Sequence, residues 1–340
     1  MTQDAAGGQD AAGGQGAASG QGAAGGLDTT ADLAQYQASA APMPQIWRLL
    51  IVHRTVMSYP DTVTTSYNEV RMQPNDEPGQ AVLSARLEID PFEGVLSYVD
   101  YFGTRVSAFD IHRPHRHLAV TATTTVETFP PAGSWPGAEA AGWSVVPAPT
   151  TAMSWDELAT SDCVDRFEEF LTSTQLTELD DELTGIAAEI KDAADDPRDA
   201  AGKVCEWVHR TLTYEVGATG VHTSAVEAYL ARRGVCQDLS HLAIGMLRSM
   251  GVPTRYVSGY LHPGDNIEIG KAVVGESHAW IEWFDGSWNR FDPTNLTAPG
   301  QAHVVVGRGR DYRDVPPVKG VYAGPDATGN EVTVRITRLR

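Results

Sequence analysis

Apolar and polar positions fall into a regular rhythm from Trp47 onward. WRLLIVHRTVMSY, AVLSARLEIDP, VLSYVDYF, RVSAFDIH and HLAVTATTTVETF are short, β-branched and partly alternating runs, separated by turn-rich pieces such as QPNDEPGQ. That pattern predicts a small antiparallel β domain over about 46–130. Residues 1–45 instead repeat Ala-Ala-Gly-Gly-Gln with small variations. They bury too little apolar surface to offset the entropy of ordering, so a disordered tail is expected there. Residues 131–153 are rich in Pro, Gly and Ala and read as a linker.

The period then lengthens. Helices are expected over about 155–172, 176–192 and 197–212, and Ser224-Ala-Val-Glu227 has the form of a capping box opening a short helix. The strongest helical pattern runs from about 236 to 250. Leu239, Leu242, Ala243, Met246, Leu247 and Met250 fall on one face, and Gly251 and Pro253 supply a stop. Strands return in TRYVSGYL, SHAWIEWF and SWNRFDP, and the chain ends in the alternating run EVTVRITRLR. Helices followed by antiparallel strands make an α+β domain over 154–325, with a last strand within 326–340.

Bulk properties narrow the function. The 340 residues are 42% apolar and carry a formal net charge of -19. Nucleic acid and anionic membrane would be repelled by such a surface, so neither is an expected partner. No apolar run is long enough to span a bilayer, and no basic segment leads into an apolar one at the N-terminus. A cytoplasmic location is the expectation. The three cysteines, Cys163, Cys205 and Cys236, are widely spaced and form no CxxC pair, which argues against a disulfide framework or a structural zinc site.

Of the three, Cys236 alone opens a helix. The unpaired N–H groups and positive dipole end of a helix favour a thiolate, and the same N–H groups stabilise an oxyanion on an attacked carbonyl. Cys205, among Val204, Val208 and Leu212, and Cys163, near Phe167 and Leu171, read as small buried hydrophobes. A thiol nucleophile needs a base, and the base an orienter. His278 and Asp292 flank Asp285-Gly286 in a predicted hairpin. A three-residue loop at 284–286, with Gly286 left-handed, would put His278 directly opposite Asp292 on one face. A two-residue loop would put them on opposite faces.

Other candidates carry simpler readings. His241 lies five residues along the helix and points elsewhere, as a surface or core histidine. His222, His262 and His303 have no clear partner in the pattern. A zinc site of Cys236, His241 and His278 matches no ligand spacing, so no metal is expected. Asp238 favours the helix dipole. Trp280 shares a face with His278 while Trp283 lies on the other, and Trp280 is the candidate for a substrate-cleft wall. Aromatic cross-strand packing is its default role.

The blocks RRGVCQDLSHLAIGMLRSMGVPTRYVSGYL, ESHAWIEWF and NRFDPTN, in that order, resemble the bacterial transglutaminase-like family. VVGRGRDYRDVPPVKGVYAG and the N-terminal β region are similar to the segments that follow and precede them there. The resemblance spans about 46–325. It implies a papain-like core, with a nucleophile helix packed on a sheet carrying His278 and Asp292. It also implies acyl chemistry on a peptide or protein amide through a Cys236 thioester, with no cofactor. Nothing acidic in the sequence suggests the calcium sites of animal cross-linking members. Gln237 and Tyr214 are candidates for the cleft and for a second oxyanion donor beside the backbone N–H of Cys236. Peptidase or amidase action is favoured because no amine pocket is legible. Glutamine cross-linking is the alternative, and a non-catalytic peptide-binding module is the reading of another class.

Overall fold

The computed structural model describes residues 45–130, 152–264 and 268–340. The expected tail and linker lie outside them but for their last residues. The N-terminal strands are β1 (Trp47–Val63), β2 (Thr65–Val70), β3 (Gln80–Asp90), β4 (Leu96–Val99), β5 (Arg105–Ile111) and β6 (His115–Thr128). In β1, Trp47, Leu49, Ile51 and His53 are buried in alternation, as a strand with one face on a core requires.

Helices follow: α1 (Trp155–Leu158), α2 (Ser161–Leu171), α3 (Asp181–Asp192), α4 (Pro197–Thr211), α5 (Ala225–Ala231) and α6 (Cys236–Ser249). The single helix expected over 155–172 is two. Ser154 and Glu157 make a capping box on α1, and the chain restarts after Thr160. The helix expected from 176 begins at Asp181, because the Asp180 side chain accepts the N–H of Leu183 and fixes the start there. The two-residue strands β7 (Thr213–Tyr214) and β8 (Arg233–Gly234) pair in parallel just before α6. The C-terminal half supplies β9 (Thr254–Leu261), β10 (Ala272–Phe284), β11 (Trp288–Phe291), β12 (His303–Gly309), β13 (Val318–Ala323) and β14 (Gly329–Arg338).

One sheet runs β12-β9-β10-β14-β1-β6-β3, with β11 also on β10, and a second runs β13-β2-β5-β4. The last strand therefore lies between β10 and β1 and joins N-terminal and C-terminal strands into one layer. The core across this junction mixes Leu49, Ile51, Val126, Tyr260, Val304 and Ile336. A buried charge cluster makes a second tie. Glu282 accepts from Arg255, Arg290 and Arg308, while Glu77 of the N-terminal region accepts from Arg290 and Arg308.

Helix α6 sits inside this frame and is buried from Cys236 to Arg248. A helix enclosed on all sides needs packing partners all round. It touches α3, α4, α5, β9 and β10. Gly245 shows how tight the fit is, since a Cβ there would lie 2.4 Å from the carbonyl oxygen of Thr177. Gly251 takes φ 87° just past the helix, as the stop signal predicts. Among the described residues no helix is long and apolar enough to cross a membrane.

Candidate active site

Cys236 is the first residue of α6. The N–H groups of a first helical turn have no acceptor within the helix, so those of Cys236 and Gln237 face outward. Asp238 does more than interact with the dipole. Its Oδ2 accepts the N–H of Val235 at 2.7 Å and the hydroxyl of Thr219 at 2.5 Å, which pins the chain entering the helix. Gly234 leaves room for that carboxylate: a Cβ there would lie 2.7 Å from the Asp238 Cβ.

His278 lies on β10, and its Nε2 meets Asp292 Oδ2 at 2.7 Å. Cys236 is close enough to act on the charge of the ring, and the two residues line the same cleft. The hairpin brings the pair together by a register different from the expected one. Phe284 pairs with Trp288 and Ile281 with Phe291, so the three-residue loop is Asp285–Gly286–Ser287. Continuing that register sets Asp292 beside Trp280. His278 reaches it diagonally, on the same face, rather than from directly opposite.

The cause of the shift is tertiary. The ring of Phe284 lies 4.3 Å from that of Phe167, and its N–H donates to the carbonyl of Pro253, which hold it in the strand. Asp285 is fully buried and accepts from Arg198 and Asn289, which fixes the turn one residue later. Gly286 takes φ 104°, the left-handed role expected of it.

The same alternation separates the neighbours of His278. Ala279, Ile281 and Trp283 pack in the cluster that contains α6, while Trp280 packs with Val257 and Val305 on the other face. Cys236 and His278 thus meet at the edge of β10. Trp280 is 0% exposed and walls no cleft, which corrects the sequence expectation. It lies under His278 and His303, with ring centroids 6.2 and 5.3 Å away. Gly259 makes the space, because a Cβ there would fall 2.5 Å from the Trp280 ring.

Asp292 collects five donors. His278 Nε2, Asn295 Nδ2 and His303 Nε2 approach Oδ2 at 2.7, 2.7 and 3.4 Å. The N–H groups of Thr294 and Asn295 approach Oδ1 at 2.9 and 3.2 Å. Burial works against its charge, but the hydrogen bonds from His278 and His303 outweigh it and hold the carboxyl far below the usual range. Burial also opposes charge on His278. The hydrogen bond to Asp292 and the influence of Cys236 and Asp292 win there and raise its pKa to about 10.

Cys236 and His278 border an open cleft of about 330 Å³, which Gln237 and Tyr214 also line, while Asp292 is fully buried. In sequence these features resembled one family, and comparison with known proteins agrees. Residues 184–293 match the transglutaminase-like superfamily, and residues 49–127 match the bacterial transglutaminase-like N-terminal region. An uncharacterized Mycobacterium leprae protein is 40% identical over 86% of this chain and all of its own length. The chain belongs to the transglutaminase-like superfamily. An uncharacterized Mycobacterium tuberculosis protein is 34% identical over 87% of this chain and 94% of its own. A Pseudomonas aeruginosa protein-glutamine gamma-glutamyltransferase is 26% identical over 32% of this chain and 18% of its own. The fold also matches a solved Cytophaga hutchinsonii protein described as a "putative cysteine protease", with TM-score 0.65, 20% identity, and 87% and 92% of the two chains covered.

Within this transglutaminase-like site, Asn295 and Tyr256 escaped the sequence reading, and His303, expected there to lack a clear partner, finds one in Asp292. Asn295 follows Asp292 closely, and the NRFDPTN block already contained it. His303 accepts the N–H of Gly300 on Nδ1 at 3.3 Å, so Nε2 carries the proton aimed at Asp292. Tyr256 lines the cleft floor, and burial, then the charge of Cys236, keeps its phenol protonated. His241 is buried beneath the site and accepts the N–H of Tyr312. Cys163 and Cys205 are buried and free, and burial pushes both thiols up. Among the described residues, the ligand atoms of His278, Asp292 and His303 converge within 4.8 Å. Their mutual hydrogen bonds account for that convergence.

Proposed function

We propose that the protein is a cysteine acyl-transfer enzyme that opens an amide through a Cys236 thioester and passes the acyl group to water. The observation that carries this reading is that Cys236, opening α6, and His278, hydrogen-bonded to the buried Asp292, line one open cleft. The sulfur of Cys236 attacks the carbonyl carbon, and the oxyanion faces the first-turn N–H groups of α6. The C–N bond breaks as the imidazolium of His278 gives its proton to the leaving nitrogen. Water then attacks the thioester with His278 taking its proton, and the C–S bond breaks, which releases the acid and frees the Cys236 sulfur beside the reprotonated His278. Asp292 keeps the ring oriented throughout.

The likeness to a protein-glutamine gamma-glutamyltransferase supports a second reading, in which an amine replaces water. Three free cysteines fit the reducing cytoplasm expected from the sequence. The purified protein offered a diverse peptide library, with and without a primary amine, separates these outcomes by product mass. Cleavage, or a gain of about 1 Da, supports hydrolysis. Joining of the amine with loss of ammonia supports transfer. No product, with Cys236 inert to alkylation, would instead favour a peptide-binding module and overturn the proposal.

A further inference from the structure

Much of the cleft lining is apolar. Tyr214, Val216, Val221 and Pro317 line it, with Val332 and Val334 of β14. Val216 is 73% exposed and Val332 51%. Single exposed apolar side chains are ordinary on a surface. These converge on the one concavity that holds Cys236. The chain is 20% charged and strongly acidic. Yet among the described residues lining the cleft there is no Asp, Glu, Lys or Arg.

A strand edge also opens there. On one side β10 pairs with β9 from Glu276 to Trp283. On the other, β14 covers Ala272–Gly275 and β11 covers Ile281–Phe284. Among the described residues no strand covers 276–280 on that side. Ser277, His278 and Ala279 all border the cleft. Successive strand residues point to opposite faces, so a cleft touching three in a row runs along the edge. An uncovered edge offers backbone donors and acceptors to an extended peptide.

We propose that the cleft takes an extended peptide whose residues beside the reactive amide are apolar and uncharged, and that Val216, Val221 and Val332 set this preference. The proposal rests on Cys236 as the nucleophile. An ionised side chain among these valines would lose water with no Asp, Glu, Lys or Arg among the described residues lining the cleft to pair with it, whereas an apolar one covers the exposed valines.

Peptidyl chloromethyl ketones bearing Leu, Glu or Lys beside the reactive carbon test this directly. The sulfur displaces chloride and forms a C–S bond, and intact mass follows the rate. The Leu probe is expected to label Cys236 at least roughly tenfold faster than either charged probe. Val332→Asp should speed the Lys probe relative to the Leu probe, and Val332→Lys should do so for the Glu probe. Damage to the fold would not move the two variants in opposite directions. Iodoacetamide, too small to sense the walls, reports on the sulfur itself. If it alkylates Cys236 but the three probes react equally, or a charged probe reacts fastest, the cleft inference fails alone. If Cys236 is no more reactive than Cys163 and Cys205, the nucleophile reading beneath it fails as well.

Discussion

His303 shares with His278 a single carboxylate oxygen, Oδ2 of Asp292, at 3.4 and 2.7 Å. The first bond is long and the second short, so His303 steadies the carboxylate while His278 takes the strong contact. His303→Gln should lower kcat roughly threefold to thirtyfold with little change in KM. It should also move the alkaline limb of the rate profile to lower pH. Unchanged kcat and an unchanged profile would show His303 to be packing alone.

In the proposed mechanism Asp292 orients the base and does not attack. Asp292→Asn keeps the shape of the side chain and removes its charge. Activity should fall on the order of 10²- to 10⁴-fold, less than in Cys236→Ala, which should lose it entirely while melting near the wild-type temperature. Equal losses in both variants, with folding intact, would contradict this division of labour.

The pH dependence has a definite sign. His278 has a folded-state pKa raised from 6.5 to about 10, so its imidazolium persists through neutral pH. The stability it adds is fully present below about 6.5 and is lost as pH rises through about 10. The proton that the proposed mechanism passes to the leaving nitrogen disappears over the same upper range. Activity should therefore fall as pH climbs through about 10, and NMR titration of His278 should follow the same curve. A titration centred near 6.5 would refute the ion-pair description.

The buried cluster around Glu282 gives an acid-side prediction. Burial raises the pKa of Glu282, but Arg308 and Arg255 lower it further, to about 2. Its contribution is present above about 4.5 and lost as pH falls towards about 2. Glu282→Gln leaves three guanidinium groups short of a partner and should cost about 3–5 kcal/mol at neutral pH. It should also flatten the acid limb of stability. Arg290 belongs to the cluster and lies two residues before Asp292, so the variant should slow catalysis too. Denaturant titrations at several pH values check the first effect.

Local pattern carried much of this architecture. Cys236 was legible because a strong apolar helix begins there with nothing else to explain a cysteine. The pairing of His278 with Asp292 was legible because parity along two strands survives an error of register by two. The register itself was not, since Phe167, Pro253 and Arg198 set the turn from afar. Trp280 shared the face of His278 as expected, but no local pattern shows that Val257 and Val305 bury that face. His303 and the placing of β14 between β10 and β1 depend on contacts distant in sequence, and neither leaves a periodic trace.

The central claim is that Cys236 is the nucleophile, activated by His278. Alkylation by iodoacetamide, mapped to each cysteine by peptide mass across pH 5–9, tests it most directly. Cys236 should react far faster than Cys163 and Cys205 and lose that advantage in His278→Ala. Reaction at Cys236 no faster than at the two buried cysteines, or unaltered by His278→Ala, would contradict the account.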